Sequence, residues 1–338
     1  MSERADLVVV GAGPGGLSAA AAARRRGWRT VVLEASEGVG GLWQHLRPDL
    51  RCLSLRRWDR LPDGVELEGA ADRATAAEVL AGWEAYAERA RFDVRFLSRA
   101  DGLARDGGWR VRAGEHVVEA PRVVLATGAY AKPWVPELPG AFEGAQGHGS
   151  ALDIGAVEAG ERVLVVGYGN SAAELVPRLL ARGARVTVSA KQPLPPTVPI
   201  ERGLRGRLGW MASGLPVRLA PGLLGCPDGV PVVDDDVHRA IDEGRVTLVG
   251  PTTELWAGGA VAGGRVEADR IVWTTGFRRD LGWVPGLTLD ARGEPAHREG
   301  LSTDLPGVAF LGLPCMRTRR SGFLRGLVDD GRAVVRAL

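Results

Sequence analysis

Two stretches of the chain repeat one alternation of apolar and polar blocks. Leu7–Val10 is four consecutive apolar residues, mostly β-branched, which suits a strand buried on both faces. A glycine-rich turn follows, then an Ala-rich run from Leu17 to Ala23 that ends on Arg24, Arg25, Arg26 and Gly27. Terminal cations followed by a glycine fit a helix C-terminus. Thr30–Leu33 predicts the next strand, and Glu34 ends it. The same order recurs later: a strand at Arg162–Val166, a glycine turn, a helix to Arg182 closed by Gly183, and a strand at Ala184–Ser189. Ser171 and Glu174 fit a capping box at the second helix, and Pro177 lies in an early turn of it.

Around these repeats the pattern predicts further elements. Helical spacing of Val79, Leu80, Trp83, Tyr86 and Ala87 marks a helix over 74–90, preceded by an irregular Arg-rich segment from Pro48 to Gly64. Phe92–Leu97, Trp109–Ala113 and His116–Ala120 read as short strands of a small antiparallel layer. Val123–Leu125 is a buried strand ending in Ala126-Thr127-Gly128, and Lys132–Gly140, with its three prolines, reads as a linker. Pro193–Gly229 is rich in Pro, Gly, Leu and Arg, either an excursion beside an active cleft or a membrane-facing one. From Pro231 order resumes, with a short helix near Val237–Ile241, a strand at Arg245–Val249, and a hairpin from Leu255–Val261 and Arg265–Ala268. Ile271–Phe277 is a strand with a second Thr-Gly ending, Thr275-Gly276. Val308–Leu311 is a last buried strand and Leu324–Ala337 a last helix.

Each glycine turn carries a chemistry. Gly11, Gly13 and Gly16 form G-x-G-x-x-G, with Gly15 inside it. The first glycine permits a tight turn, the second a close approach of diphosphate to backbone, the third close packing of helix on sheet. The helix N-terminus offers free N–H groups and partial positive charge to the anion. Glu34 stands 34 − 16 = 18 residues beyond Gly16, where a carboxylate accepts hydrogen bonds from an adenosine ribose and repels a 2′-phosphate. This first site therefore suits FAD or NAD. The second turn, Gly167-Tyr168-Gly169-Asn170-Ser171-Ala172, is G-x-G-x-x-A, and its second strand ends in Ser189-Ala190-Lys191 with no acid. A hydroxyl and an ammonium there welcome a 2′-phosphate. FAD is assigned to the first site and NADPH to the second. The start of the last helix, near Ser321-Gly322, is expected to aim its positive end at the flavin pyrimidine.

Composition narrows the class. The 338 residues predict about two domains. A formal charge of +2 implies no polyanionic partner, so no nucleic acid. Nearly all basic residues are arginine; the lysines are Lys132 and Lys191. No apolar run approaches the ~20 residues of a membrane span, and the first strand begins too early for a signal peptide, so a cytoplasmic protein without a membrane anchor is expected. Cys52, Cys226 and Cys315 are far apart and read as buried or incidental. They include no C-x-x-C, hence no thioredoxin-type dithiol and no metal site. The expected fold is α/β, with two Rossmann-like dinucleotide-binding domains: 1–145 with 268–338 for FAD, and 146–267 for NADPH.

The order of motifs resembles the flavin-containing monooxygenases, in particular bacterial flavoprotein monooxygenases and the plant YUCCA enzymes. Val39-Gly40-Gly41-Leu42-Trp43, Leu125–Gly128, Thr274–Phe277 and Phe310–Pro314 follow the family's order over nearly the whole chain. Phe142–His148 matches its F-x-G-x-x-x-H signature, and Pro231–Asp234 with Gly244–Val246 resembles a YUCCA-type segment. The resemblance implies cofactor contacts from Gly41, Leu42, Trp43, Thr127, Gly128, Thr275, Gly276, Gly312, Gly322, Phe323 and Leu324. It implies catalytic candidates His148, Ser54 and Arg56, the last two standing where some members place an Asn. Leu152 stands where the family has an aromatic residue. The implied reaction has NADPH reduce the flavin, O2 add to give a C4a-(hydro)peroxyflavin, and one oxygen pass to a small organic substrate. Rival readings are an NADPH-dependent flavin reductase serving another acceptor, and a non-catalytic redox sensor. A homodimer is left open.

Overall fold

The computed structural model describes residues 3–195, 197–198, 203–217, 232–233 and 236–338. Cys226, Pro231 and Asp234, named above, lie outside the described residues, as do 196, 199–202 and 218–229 of the Pro193–Gly229 excursion. The chain forms two units: Met1–Ala131 with Glu201–Cys226 and Arg279–Leu338, and Lys132–Ile200 with Pro227–Arg278.

The first unit is built on a seven-stranded sheet. Its order is His297–Arg298, Leu301–Ser302, Val308–Phe310, Val123–Leu125, Leu7–Val10, Thr30–Leu33, Asp93–Arg95. The last five run parallel and the first two antiparallel. Leu7–Val10 lies in the middle of the parallel set and is at most 5% exposed, which is why it reads as an unbroken apolar run. The helix Pro14–Arg24 crosses over to Thr30–Leu33 and packs on the last helix, Leu324–Ala337. A second sheet pairs Glu3–Arg4, His116–Ala120, Trp109–Ala113 and Gly102–Arg105. Asp93–Arg95 does not join that layer, as its pattern suggested. It extends the parallel sheet beside Thr30–Leu33.

The second unit repeats the plan with five parallel strands in the order Ala145–His148, Arg270–Trp273, Arg162–Val166, Arg185–Ser189, Val246–Val249. A three-stranded antiparallel layer, Glu254–Trp256, Gly259–Val261 and Arg265–Glu267, accompanies it. This corrects the expected boundaries. Arg270–Trp273 pairs with the second fingerprint strand, so 268–278 belongs to the second unit and not to the FAD domain. Residues 132–145 also belong there: Lys132–Pro133, read as linker, pairs with Phe277–Arg278. The pattern could not separate the two Thr-Gly strands because both are short, carry three consecutive buried apolar residues and end alike.

Candidate functional site

Val10 ends its strand and the chain turns at Gly11, whose φ is +103°. A Cβ on Gly11 would stand 2.5 Å from the Ala126 carbonyl oxygen, and one on Gly16 only 1.8 Å from that of Gly11. The turn and the helix packing therefore exclude any side chain at both positions. Gly13 differs. A Cβ there would meet Gly40 O and Gly41 Cα at 3.7 and 3.8 Å, ordinary contact. The fold alone does not demand glycine at Gly13; a ligand lying against its backbone would. Gly15 is equally tolerant, with its nearest neighbours at 3.8–3.9 Å.

Glu34 is 7% exposed, and its carboxylate is folded back onto the turn. It accepts from the Ala12 N–H at 2.6 Å, from the Ser36 N–H at 2.9 Å and from the Ser36 hydroxyl at 2.8 Å. Gln44 then donates to Ser36 Oγ and Gly38 O, and Gly40 N–H donates to Ala12 O. The loop from Glu34 to Gln44 is thus fastened to the glycine turn, with Gly41 against Gly13 and Trp43 packed on the core. Ser36 and Gln44 carry this fastening; no motif marked them as its agents.

The helix starts bear on what these turns can hold. The Pro14–Arg24 helix begins at Gly13 and the Asn170–Ala181 helix at Gly169, with no side-chain cap and no acid in the first turn. The Leu324–Ala337 helix begins at Phe323 in the same way. By contrast Ala76–Ala90 has a complete capping box, Thr75 and Glu78 bonding reciprocally. Uncapped N–H groups leave three helix ends able to receive an anion or an electron-rich group, two of them with a glycine at the cap. A Cβ on Gly169 would meet nothing within 4 Å. The residues present therefore fit two dinucleotides.

Thr127-Gly128, Gly312 and Gly322-Phe323-Leu324 lie in the first unit at strand ends or at the last helix start. Arg279 fastens two of these positions. Its side chain, 4% exposed, pairs with Glu294 at 2.7 Å and donates to the carbonyls of Gly128 and Gly312 at 3.1 and 3.4 Å. Sequence reasoning missed it: no motif spacing singles it out among the many arginines. Ser54 is buried and donates to the Asp59 carboxylate at 2.7 and 2.8 Å. Burial pushes the Asp59 carboxyl up to about 6. Arg56 donates to Ala71 O, Glu68 O and the Glu78 carboxylate. Cys52, beside them, has a free, buried thiol that burial raises to about 12. Cys315 is disulfide-bonded, which corrects its reading as incidental.

In the second unit Gly167 has φ +102°, and a Cβ there would stand 2.7 Å from Thr274 O. The Thr274 hydroxyl lies 3.0 Å from the carbonyl oxygens of both Val166 and Gly167 and holds the turn. Asn170 Oδ1 accepts from Val233 N–H, Ala172 is buried against the sheet, and Ser171 is exposed. The expected capping box does not form: Gly169 is the cap, and Glu174 pairs with Arg178 instead. Ser189 is a further correction. The residue is 1% exposed, and its hydroxyl is spent on Gly250 O at 2.9 Å and Thr252 Oγ1 at 2.7 Å, in the loop after Val246–Val249, so it is already engaged within the protein. Lys191, two residues on, is exposed.

His148 ends the strand Ala145–His148 and is 9% exposed. Nδ1 accepts from Ser150 N–H at 3.3 Å and lies 2.8 Å from Ser150 Oγ, while Nε2 lies 3.0 Å from Gly276 O. A carbonyl only accepts, so the ring proton sits on Nε2. Burial lowers the His148 pKa, and the bond to Gly276 opposes this only in part. The Thr275 hydroxyl donates to Trp134 O, fixing the same turn from its other side.

A family model of the pyridine nucleotide-disulphide oxidoreductases matches residues 8–197. Over 333 residues the chain is 32% identical to the indole-3-pyruvate monooxygenase YUCCA1 of Oryza sativa subsp. japonica, covering 87% of this chain and 81% of the relative. A flavin-containing monooxygenase from Stenotrophomonas maltophilia superposes with a TM-score of 0.83 at 27% identity, over 99% of this chain and 98% of that one. The chain belongs to the flavin monooxygenase family. This flavin monooxygenase uses FAD and NADPH and oxygenates with O2. The bacillithiol disulfide reductase Bdr of Staphylococcus aureus shares the fold, with a TM-score of 0.73 at 15% identity over 99% of this chain and 98% of that one.

Proposed function

We propose that the turn from Gly11 to Gly16, with Glu34, Gly41–Trp43, Gly128, Gly312 and the start of the last helix, holds FAD. The turn from Gly167 to Ala172, with Lys191, holds NADPH, and the chain oxygenates a small organic substrate in the cytoplasm. The observation that carries this reading is the contrast between strand ends: a buried carboxylate at Glu34 and an exposed ammonium after Ser189. The first repels a 2′-phosphate and the second attracts one. FAD, when bound, supplies the reaction with O2, and NADPH the reducing equivalents.

The chain's own residues position and exclude. Glu34 fixes the N–H of Ala12 inside the glycine turn, so that the uncapped helix end beyond it is held for the diphosphate. Arg279 fixes the carbonyls of Gly128 and Gly312 and keeps both loops in one geometry. His148, with both ring nitrogens engaged, holds the Thr275-Gly276 turn; we assign it positioning rather than proton transfer. Arg56 braces the Pro48–Gly64 segment in the same sense, and the Ser54 hydroxyl donates to the Asp59 carboxylate.

Lys191→Glu tests the assignment. The Michaelis constant for NADPH should rise at least about tenfold, equivalent to about 1.4 kcal/mol, with little change for NADH. Equal effects on the two would sink the reading of the second site.

A further inference from the structure

A cavity of about 290 Å³ lies in the first unit, lined by Arg317, Arg320, Asp329, Asp330, Arg332 and Arg336 among others. None of these is a residue assigned to either cofactor. Two glycines make room for its walls. A Cβ on Gly214 would stand 2.6 Å from the Arg320 guanidinium carbon, and one on Gly326 2.3 Å from the Arg320 carbonyl oxygen.

Part of this charge is neutralised within the wall. Asp330 Oδ1 accepts from Arg317 Nη1 at 3.1 Å. Arg320 donates to Ser213 Oγ at 3.1 Å and lies 3.7 Å from the centre of the Trp210 ring. Three groups are left over. Asp330 is 1% exposed, and its Oδ2 has no hydrogen-bond partner. Arg332 Nε is likewise buried without one, and its guanidinium reaches the Asp329 carboxylate only at 3.9 Å. Arg336 is exposed, with no carboxylate paired to it among the described residues.

The remainder, among the residues that line the cavity, is two cationic side chains and one carboxylate oxygen without a partner. Its complement is an anion that also carries a hydrogen-bond donor. A protonated phosphate has both: oxygens for Arg332 and Arg336, and a P–O–H for Asp330 Oδ2. Sulfate has the same size and the same oxygens but no O–H at neutral pH, and would set a bare oxygen against a carboxylate. We propose that this cavity binds a hydrogen phosphate group, free or as the singly protonated form of a phosphate monoester, with Asp330 selecting phosphate over sulfate.

The test is titration calorimetry of the FAD-loaded protein with inorganic phosphate, sulfate and glycerol phosphate, at neutral pH and constant ionic strength. Phosphate or its monoester should bind saturably and at least about tenfold more tightly than sulfate. Whichever of the two binds more tightly identifies the source. Arg336→Ala, at an exposed position, should weaken binding at least about fivefold without lowering the thermal midpoint of the ligand-free protein. Asp330→Asn, whose amide can donate to either anion, should bring sulfate level with phosphate. Equal affinity of the unsubstituted protein for phosphate and sulfate, or unchanged phosphate affinity in Arg336→Ala, overturns the proposal. Those two measurements decide it even if Asp330→Asn does not fold.

Discussion

The two glycine turns share a backbone plan and differ in what the chain does with the side chains around them. In the first unit the third glycine cannot be replaced: Gly16 has no space for a Cβ. In the second unit the corresponding residue is already alanine, Ala172, buried without conflict. At the following strand end the first unit folds a carboxylate back into its own turn, at Glu34. The second unit buries a hydroxyl, at Ser189, and leaves a cation outside, at Lys191. On the proposed reading, the motif sets the diphosphate geometry, whereas the choice of dinucleotide is left to side chains at the strand end and to whether the fold has already used them.

The sharpest way to break this comparison is at the third glycine. Gly16→Ala places a methyl carbon 1.8 Å from a backbone oxygen. It should cost more than about 3 kcal/mol by overpacking and yield protein that is unfolded or free of flavin. Ala172→Gly, the mirror change in the second unit, should cost only about 1 kcal/mol through helix propensity and retain flavin. Thermal midpoint and flavin absorbance of the two purified variants read this directly. Comparable losses in both would show that the turns are not built differently.

A second contrast concerns buried titrating groups. Asp59 in the first unit and His148 in the second are both pushed by burial toward their neutral forms, but they act on stability with opposite sign. Asp59 is raised from 3.8 to about 6, so the folded state holds its proton more tightly than the unfolded chain. Its contribution is present below the lower value and is lost as pH rises to about 6. The His148 pKa is lowered from 6.5, so its contribution is present above that value and is lost as pH falls through the depressed folded value. Asp59→Asn keeps an acceptor for Ser54 and removes the titration. It should stabilise the protein on the order of 2 kcal/mol at neutral pH and hardly at all at mildly acidic pH. Denaturant unfolding at the two pH values measures it, and a pH-independent difference would refute the assignment of the strain to Asp59.

Much of the backbone of the two turns was legible because steric need leaves a plain mark. Gly11 and Gly167 are forced by φ and by backbone oxygens a Cβ would strike, and Gly16 by such an oxygen alone, and such positions stand out in any sequence. Leu7–Val10 and Arg162–Val166 read as buried strands because both faces are covered. The boundary between units was not legible. Arg270–Trp273 and Val123–Leu125 carry the same local pattern, and only nonlocal pairing sends one to each sheet. Nor could spacing reveal that Ser189 faces Gly250 and Thr252, since its partners lie about 60 residues away. Arg279 was hidden for the opposite reason: arginine is so common here that one buried example has no local signature.

Glu34→Gln probes the first strand end. Glutamine keeps one accepting oxygen, but its amide nitrogen cannot accept, so either Ala12 N–H or Ser36 N–H loses its partner. The expected cost is about 1–3 kcal/mol, with weaker FAD retention on dialysis. The loss should be larger than that from Ser36→Ala, which leaves the Ala12 bond intact. If FAD retention is unaffected, the carboxylate braces the loop only and takes no part in holding the cofactor.

The smallest expected effect falls on the second strand end and decides how far the two ends differ. Ser189→Ala removes a buried hydroxyl together with its bonds to Gly250 and Thr252. Leaving the Gly250 carbonyl and the Thr252 hydroxyl with one partner fewer should cost about 1 kcal/mol of stability. Because that hydroxyl is already engaged by Gly250 and Thr252, the Michaelis constant for NADPH should stay within about twofold of the unsubstituted value, a difference below about 0.5 kcal/mol. A selective rise for NADPH over NADH would mean that Ser189 turns outward when the dinucleotide binds. The discrimination would then be shared between Ser189 and Lys191, and the second strand end would resemble the first in using a side chain drawn from its own sheet.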